Sequence, residues 1–310
     1  MNKRKLVKER AVEYTLNPPF PHNMLVELTN GCNHECIFCD HKNMKRKKGI
    51  IDKDFLNNIL EQAYKNGTRE VGYYLTGEPL ICPEIEQYIE MAHDIGYEYI
   101  YMTTNGALAK VDIIKRLVDK GLNSLKFSIN AGTRETYKKV HGRDDFDKVI
   151  KNLQDVIEYR RNENADFALH ISFVRTKLNC MEEDILKNRF IDDIDEFDGV
   201  DGFNQAGTLS DAKGELLLNP DIKASKLPCD MIFNRLHISY EGFLIACCFD
   251  FECRLAVADL RKTDLKDAWN SELLVDLRKQ HLSGNLQKNL CYNCINGVWT
   301  EIDSLMSIEG

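Results

Sequence analysis

The sequence predicts an α/β protein: a partial (β/α)6 barrel with a small C-terminal hairpin-plus-helix domain. Three observations lead there. Short β-rich runs alternate with amphipathic helical runs between Asn23 and Gln205, six strands in all. The alternation stops after Gly207. Of eleven cysteines, Cys32, Cys36 and Cys39 crowd the first strand-to-helix loop and six more fall in the last third.

The elements follow in order. MLVEL, from Met24 to Leu28, reads as the first strand. Asp52 to Lys65 has apolar residues at Phe55, Ile59, Leu60 and Ala63, a helical period. VGYYL precedes PEIEQYIEMAHDI, EYIYMT precedes KVDIIKRLVDK, and SLKFSIN precedes a long helical region through FDKVIKNLQDVIEYRR. FALHISFVR precedes MEEDILKNRFIDDID, and DGVDGFNQ closes the series without a clear helix. Repeated β-α alternation implies parallel pairing with right-handed crossovers. Six units are fewer than a closed eight-stranded barrel uses, so the sheet is expected to stay open, with chemistry on the loops after the strands' carboxyl ends. RLHISYEGFLIACC then reads as a hairpin turning at Tyr240-Glu241-Gly242, and DLKDAWNSELLVDLRKQHL as an amphipathic helix. The expected divisions are an N-terminal extension over 1–23, the barrel over 24–207 and the small domain over 208–310.

Composition sets the class. With 310 residues, 43% hydrophobic and 29% charged, the chain is an ordinary globular one. Its 41 basic and 49 acidic side chains give a net charge of −8. That argues against a nucleic acid or an anionic membrane as main partner. The start, MNKRKLVKERAVEY, lacks the apolar core of a signal peptide, and the longest apolar run, Phe243 to Phe249, is too short to span a bilayer. The expected location is the cytoplasm. In that reducing compartment clustered thiols are metal ligands rather than disulfides.

The first cluster reads TNGCNHECIFCDHKNM, with the spacing CxxxCxxC. Three thiolates alone do not complete a tetrahedral zinc site. They can hold three irons of a [4Fe–4S] cluster and leave the fourth open. A zinc site borrowing His34 or His41 is the alternative that the spacing leaves open. In SLKFSINAG, alternation puts Lys126, Ser128 and Asn130 on one face of a strand and Leu125, Phe127 and Ile129 on the other.

CxxxCxxC after the first strand of a β/α chain resembles the signature of the radical S-adenosylmethionine (radical SAM) superfamily, over roughly Asn23 to Gln205. The resemblance implies a radical SAM barrel in which Cys32, Cys36 and Cys39 hold a [4Fe–4S] cluster and S-adenosylmethionine chelates the open iron. Phe38 matches the aromatic position against the adenine. LTGEPL resembles the family's GGEP turn for the methionyl amine: Gly77, Glu78 and Pro79 match, and Thr76 departs from it. Ser128 and Asn130 fall at ribose-binding positions, and MTTNG resembles the end of the third strand, adding Asn105.

In the last third, Cys229 is followed by twelve residues, Gly242, four residues and Cys247, and much later by Cys291-Tyr-Asn-Cys294. Four soft ligands suit zinc or an iron–sulfur cluster. In the radical SAM setting this resembles the SPASM/Twitch auxiliary-cluster domains. Only one later CxxC follows, which implies a Twitch domain with one auxiliary [4Fe–4S] cluster on Cys229, Cys247, Cys291 and Cys294. Cys253 is an alternative ligand, whereas Cys248, if in a strand, should point away from Cys247. Cys82 and Cys180 are expected to be small buried residues.

Four protein thiolates leave no open iron on that cluster, which suits it to electron transfer. The expected reaction is oxidation of an alcohol to a ketone on a sugar, aminocyclitol or sugar nucleotide, as in the Twitch-type dehydrogenases that the layout resembles. Lys126, Arg175, Glu27 and His170 are the candidates for substrate contact or proton transfer. Peptide modification by thioether formation or epimerisation is the second reading, and a non-catalytic metal-binding scaffold is a third. A reducing partner such as flavodoxin or ferredoxin is implied in either enzymatic case.

Overall fold

The computed structural model describes residues 11–209, 214–219 and 226–307. Parts of the expected N-terminal extension and of the 208–310 division lie outside them. The barrel runs β1 (Asn23–Val26), α1 (Lys53–Lys65), β2 (Glu70–Tyr73), α2 (Ile85–Ile95), β3 (Tyr99–Thr104), α3 (Val111–Asp119) and β4 (Ser124–Ser128). It continues through α4 (Arg134–His141), α5 (Phe146–Asn162), β5 (Ala168–Arg175), α6 (Glu183–Phe190) and β6 (Glu196–Asp201). The second unit holds α7 (Met231–Asn234), β7 (Arg235–Ile238), β8 (Phe243–Ile245), β9 (Ala256–Asp259), α8 (Leu265–Trp269), α9 (Glu272–Ser283) and α10 (Leu290–Asn296).

Among the described residues, nine strands form one sheet in the order β6-β5-β4-β3-β2-β1-β7-β8-β9. The pairs from β1 to β6 are parallel, as the β/α alternation predicts. The helices cover one face. Ile100, Met102, Leu125, Phe127, Leu169 and Ile171 point to it and share one core with Ile59, Leu60, Leu117 and Leu153. α1 shows why the helices sit there: Phe55, Leu56, Ile59, Leu60 and Ala63 form one buried stripe. The Asp52 side chain accepts from Phe55 N and fixes where that helix starts. By the two-residue period, Tyr99, Tyr101, Ser124, Lys126, Ser128, His170 and Ser172 face the lumen.

Two features lie beyond the sequence reading. β6 starts at Glu196, two residues before the expected strand, and a third strand, β9, follows the hairpin. The hairpin is also not a separate layer. β7 lies parallel to β1, with Asn23 opposite Arg235 and Val26 opposite Ile238, and continues the barrel sheet.

A buried ion pair locks this seam. Glu27, 2% exposed, accepts through both carboxylate oxygens from Arg46 Nη2 at 2.7 and 2.8 Å, from Tyr240 N at 3.1 Å and from the Thr76 hydroxyl. Arg46 also reaches Glu241 at 3.0 Å and the Cys253 sulfur at 2.7 Å. The cysteine loop, β1 and the hairpin turn therefore meet at one guanidinium. Arg46→Met leaves a carboxylate buried without its cation and should destabilise the protein by about 3–5 kcal/mol in urea unfolding. A loss under about 1 kcal/mol would show that the seam holds without the pair.

Candidate functional site

The cysteine loop leaves β1 and is pinned on two sides. On one side Glu78 N donates to Gly31 O at 2.8 Å. Gly77 has to lack a side chain there, because a Cβ would stand 2.2 Å from Thr29 O and 2.6 Å from Gly31 O. On the other side Glu35 N and Ile37 N donate to the last carbonyls of α4, His141 O at 3.0 Å and Val140 O at 2.9 Å. Those carbonyls have no partner within their own helix, so the loop completes the helix end. Gly142, at φ +65, lets the chain turn away where a Cβ would meet Glu35 O at 2.9 Å.

Between these pins the three thiols converge. Burial, reinforced by the neighbouring thiols, pushes Cys36 up, and burial pushes Cys39 up to about 12 and raises Cys32. A cation reverses this balance, so iron binding releases protons. Three mutually close thiols in a loop at the strands' carboxyl ends fit three cluster irons.

The GEP turn sits beside them. Glu78 is 2% exposed and accepts from Thr104 Oγ1 at 2.7 Å, Asn105 N at 2.7 Å and Leu80 N at 3.1 Å. Burial nonetheless raises its carboxyl to about 7. Pro79 opens the 3-10 turn Pro79–Ile81 that Glu78 caps. Asn105 donates to Asn33 Oδ1 at 2.7 Å and lies 4.0 Å from the Cys32 sulfur, which ties the end of β3 to the cysteine loop. Asn130, at φ +56, donates to Ser128 Oγ at 3.0 Å and accepts from Val174 N at 2.7 Å. Half-buried Phe38 presents its ring to His141, centroids 6.3 Å apart.

The four substrate candidates divide. Lys126 faces the lumen and pairs with Asp198 at 2.8 Å. His170, 8% exposed, lies 3.3 Å from Glu196, and burial with Lys126 nearby lowers its basicity. Arg175 is engaged by Asp201 and, at 3.0 Å, by Glu183. Glu27 is spent on the Arg46 seam. The sequence reading missed Tyr74, Tyr101, Asp198 and Arg235. Tyr74 lies within electrostatic reach of Arg235, Cys248 and Asp198, and burial pushes its phenol up to about 12. Tyr101 donates to Asn23 Oδ1 at 2.9 Å, and its ring fills the space a Gly72 side chain would take. The alternation of Tyr99 and Tyr101 with Ile100 and Met102 was the available signal. At the amino-terminal ends of β1, β2 and β7, Asn23, Glu70, Asp230 and Arg235 line a cavity of ≈ 830 Å³.

The second group of cysteines forms its own cage. Cys229, Cys247, Cys291 and Cys294 line one pocket walled by Ile232, Leu255, Leu290 and Ile295. β7 and β8 deliver Cys247, and α10 carries Cys291 and Cys294 one turn apart. His281 Nδ1 accepts from Cys229 N at 3.3 Å, which steadies the first ligand. Cys253 stays outside the cage, held by Arg46 and packed with Ile245 and Ala256. The expectation for Cys248 needs correction. β8 ends at Ile245 after an irregularity in its pairing, so Cys247 and Cys248 lie beyond the strand and their sulfurs meet instead of pointing apart. Cys82 is buried, as expected, whereas Cys180 is only half-buried.

An open parallel barrel with a CxxxCxxC loop at its carboxyl end, joined to a four-thiol cage, defines an iron–sulfur protein of the radical type. Residues 26–172 match the radical SAM superfamily, and residues 229–295 match the iron–sulfur cluster-binding domain called SPASM. The chain therefore carries a radical SAM domain and a SPASM-class auxiliary domain. Its cofactors are S-adenosylmethionine and [4Fe–4S] clusters.

Among curated proteins, a probable GTP 3′,8-cyclase of Saccharolobus solfataricus is 33% identical over 137 residues, 44% of each chain. An uncharacterized protein of Methanocaldococcus jannaschii is 34% identical over 139 residues, again 44% of each. The match thus spans under half the length of these relatives. Among solved structures, SuiB of Streptococcus suis bound to its precursor peptide SuiA superposes with a TM-score of 0.69 at 18% identity, over 88% of this chain and 69% of that one. BtrN in complex with AdoMet and 2-DOIA superposes with a TM-score of 0.58 at 17% identity, over 92% and 97%. Both likenesses are of fold. Among the described residues, no helix is long and apolar enough to cross a membrane.

The close approach at Gly77 gives a direct test of the loop's seating. Gly77→Ala should cost about 1–3 kcal/mol in urea unfolding and lower the iron taken up on reconstitution. An unchanged midpoint with full iron would show that the cysteine loop moves aside freely.

Proposed function

We propose that the protein oxidises an alcohol of a small polar molecule, such as a sugar, aminocyclitol or sugar nucleotide, to a ketone. The observation that carries this reading is the auxiliary cage: four cysteines line one apolar pocket, Cys248 lies beside Cys247 outside its lining, and Cys253, Cys82 and Cys180 lie elsewhere. Four thiolates leave no iron open to a substrate, which suits electron transfer rather than substrate binding. When bound, the cofactors supply a 5′-deoxyadenosyl radical at the cysteine loop and an electron acceptor in the cage. The substrate gives up one hydrogen atom, one proton and one electron, which balances the conversion of a carbinol to a carbonyl.

The chain's own residues hold and shield the reactants. Gly77, Glu78 and Pro79 shape the turn proposed for the methionyl group, Phe38 meets the adenine, and Ser128, Asn130 and Asn105 serve the ribose side. Below them, Tyr74, Tyr101, Lys126, Asp198 and His170 make a polar, aromatic-walled lumen suited to hydroxyl groups. The hydroxyl proton leaves to an acceptor in this lumen, where Asp198 and His170 carry the basic atoms and Lys126 pairs with Asp198. A flavodoxin- or ferredoxin-type protein supplies the electrons.

The test pairs a substrate screen with a ligand variant. Polyols, aminocyclitols, sugar nucleotides and short peptides are offered with deuterium on the candidate carbons, and transfer into 5′-deoxyadenosine is measured. A polyhydroxylated small molecule should transfer deuterium and yield a ketone. The variant with both Cys291→Ala and Cys294→Ala should still cleave S-adenosylmethionine yet yield little or no ketone. Transfer from peptides alone would move the reading to peptide modification. Full ketone yield in the variant would remove the cage from the reaction.

A further inference from the structure

The cysteine loop carries a histidine that a cluster on Cys32, Cys36 and Cys39 does not use. His34, inside the CxxxC spacing, is 2% exposed, and His141, at the end of α4, is 1% exposed. Their Nδ1 atoms stand 3.2 Å apart, and the Cys36 sulfur lies 3.4 Å from His141 Nδ1. All three donor atoms fall within 4.8 Å of one another. Tyr137 stacks on the His141 ring with centroids 4.1 Å apart and holds its plane.

The hydrogen bonds fix the tautomers. His141 Nε2 is 2.6 Å from the Ile129 carbonyl oxygen and 3.3 Å from Asn130 Nδ2, and the shorter contact is one in which the nitrogen has to donate. His34 Nε2 is 3.4 Å from the Asp145 carboxylate, which also only accepts. With both neutral rings protonated on Nε2, both Nδ1 lone pairs aim at the same point, beside a sulfur. No N–H is left between them, and the proton nearest to them is that of the Cys36 thiol, 3.4 Å from His141 Nδ1. A cation at that point takes the place of the thiol proton and joins both lone pairs.

Metal-ligating histidines have this outer arrangement, in which the far N–H donates to a carbonyl or carboxylate and the near nitrogen takes the metal. The spacing agrees. Zn–N bonds of about 2.0–2.1 Å and a Zn–S bond of about 2.3 Å at tetrahedral angles put N···N near about 3.3 Å and N···S near about 3.5 Å.

We propose that, in the chain lacking its cluster, His34 Nδ1, His141 Nδ1 and Cys36 Sγ form a divalent-cation site that takes Zn²⁺, with water as fourth ligand. Binding releases the Cys36 thiol proton. Because Cys36 belongs to both donor sets, zinc on this tripod and an iron–sulfur cluster on the cysteine loop exclude one another. The site is a checkpoint on which metal the loop takes first. His41, the other histidine of the loop, is not among the three donors that converge.

The test uses the full chain, freed of iron under anaerobic conditions, with Co²⁺ as the spectroscopic probe. The auxiliary cage binds one equivalent and the tripod a second. His141→Phe and His34→Gln should each lose one equivalent, and Cys36→Ala should lose the same one, while Cys32→Ala and Cys39→Ala keep both. X-ray absorption of the zinc form of the Cys291→Ala/Cys294→Ala variant should show two nitrogen scatterers and one sulfur from the protein. In the Cys291→Ala/Cys294→Ala variant, whose remaining cluster is the one on the cysteine loop, zinc added before reconstitution should block most of the iron uptake, and His141→Phe should relieve that block. Near-ultraviolet circular dichroism shows that the variants are folded, and His34→Gln keeps a donor for Asp145. Two equivalents bound by both histidine variants would overturn the proposal, as would a second equivalent that depends on Cys32 and Cys39 as much as on Cys36.

Discussion

Everything at the carboxyl end of the barrel depends on one close backbone approach. The chain leaving β1 passes so near the turn after β2 that no side chain fits at Gly77. Glu78 then donates its N–H to Gly31 O and spends its carboxylate on Thr104, Asn105 and Leu80. One residue thereby fixes the start of the cysteine loop and the ends of β2 and β3 together. The far end of the loop is fixed by α4, whose last carbonyls accept its amides. The three thiols are held together by these backbone bonds and by the Asn105 side chain, which ties Asn33 to the end of β3.

The same strand carries the link to the second cage. β1 is parallel to β2 on one edge and to β7 on the other. The auxiliary domain is therefore an extension of the barrel sheet, and Glu27 and Arg46 hold the junction. A charged pair is costly in such a dry place, and here the carboxylate is offset by Arg46, Thr76 and Tyr240 N, while Arg46 Nε is buried without a hydrogen-bond partner. The relative placement of the two groups of cysteines is thus set by a continuous hydrogen-bonded sheet, which suits the oxidation proposed above.

Much of this was legible in the sequence because its signals are local. The six-strand alternation, the CxxxCxxC loop, the GEP turn and the four cage cysteines are each read within a short window or from ligand chemistry. What was not legible depends on topology. Glu27 reads as a lumen-facing carboxylate until Arg46 is seen to fold back over it. Arg175 reads as a free cation until α6 and β6 bring Glu183 and Asp201 to it. Cys248 was assigned a direction from strand alternation, yet β8 ends before it. β9 is short and follows an irregular turn, so no period announces it. His141 lies outside every motif, and only the docking of α4 on the cysteine loop brings it to Cys36.

The central claim is that the two groups of cysteines hold two separate clusters, of which only the one on the cysteine loop has an iron open to S-adenosylmethionine. Mössbauer spectroscopy of the reconstituted full chain, with and without S-adenosylmethionine, tests it most directly. The account predicts signals from two [4Fe–4S] clusters, with one iron of one cluster shifted by S-adenosylmethionine and the other cluster unchanged. A single cluster, or a shift in both, would contradict it.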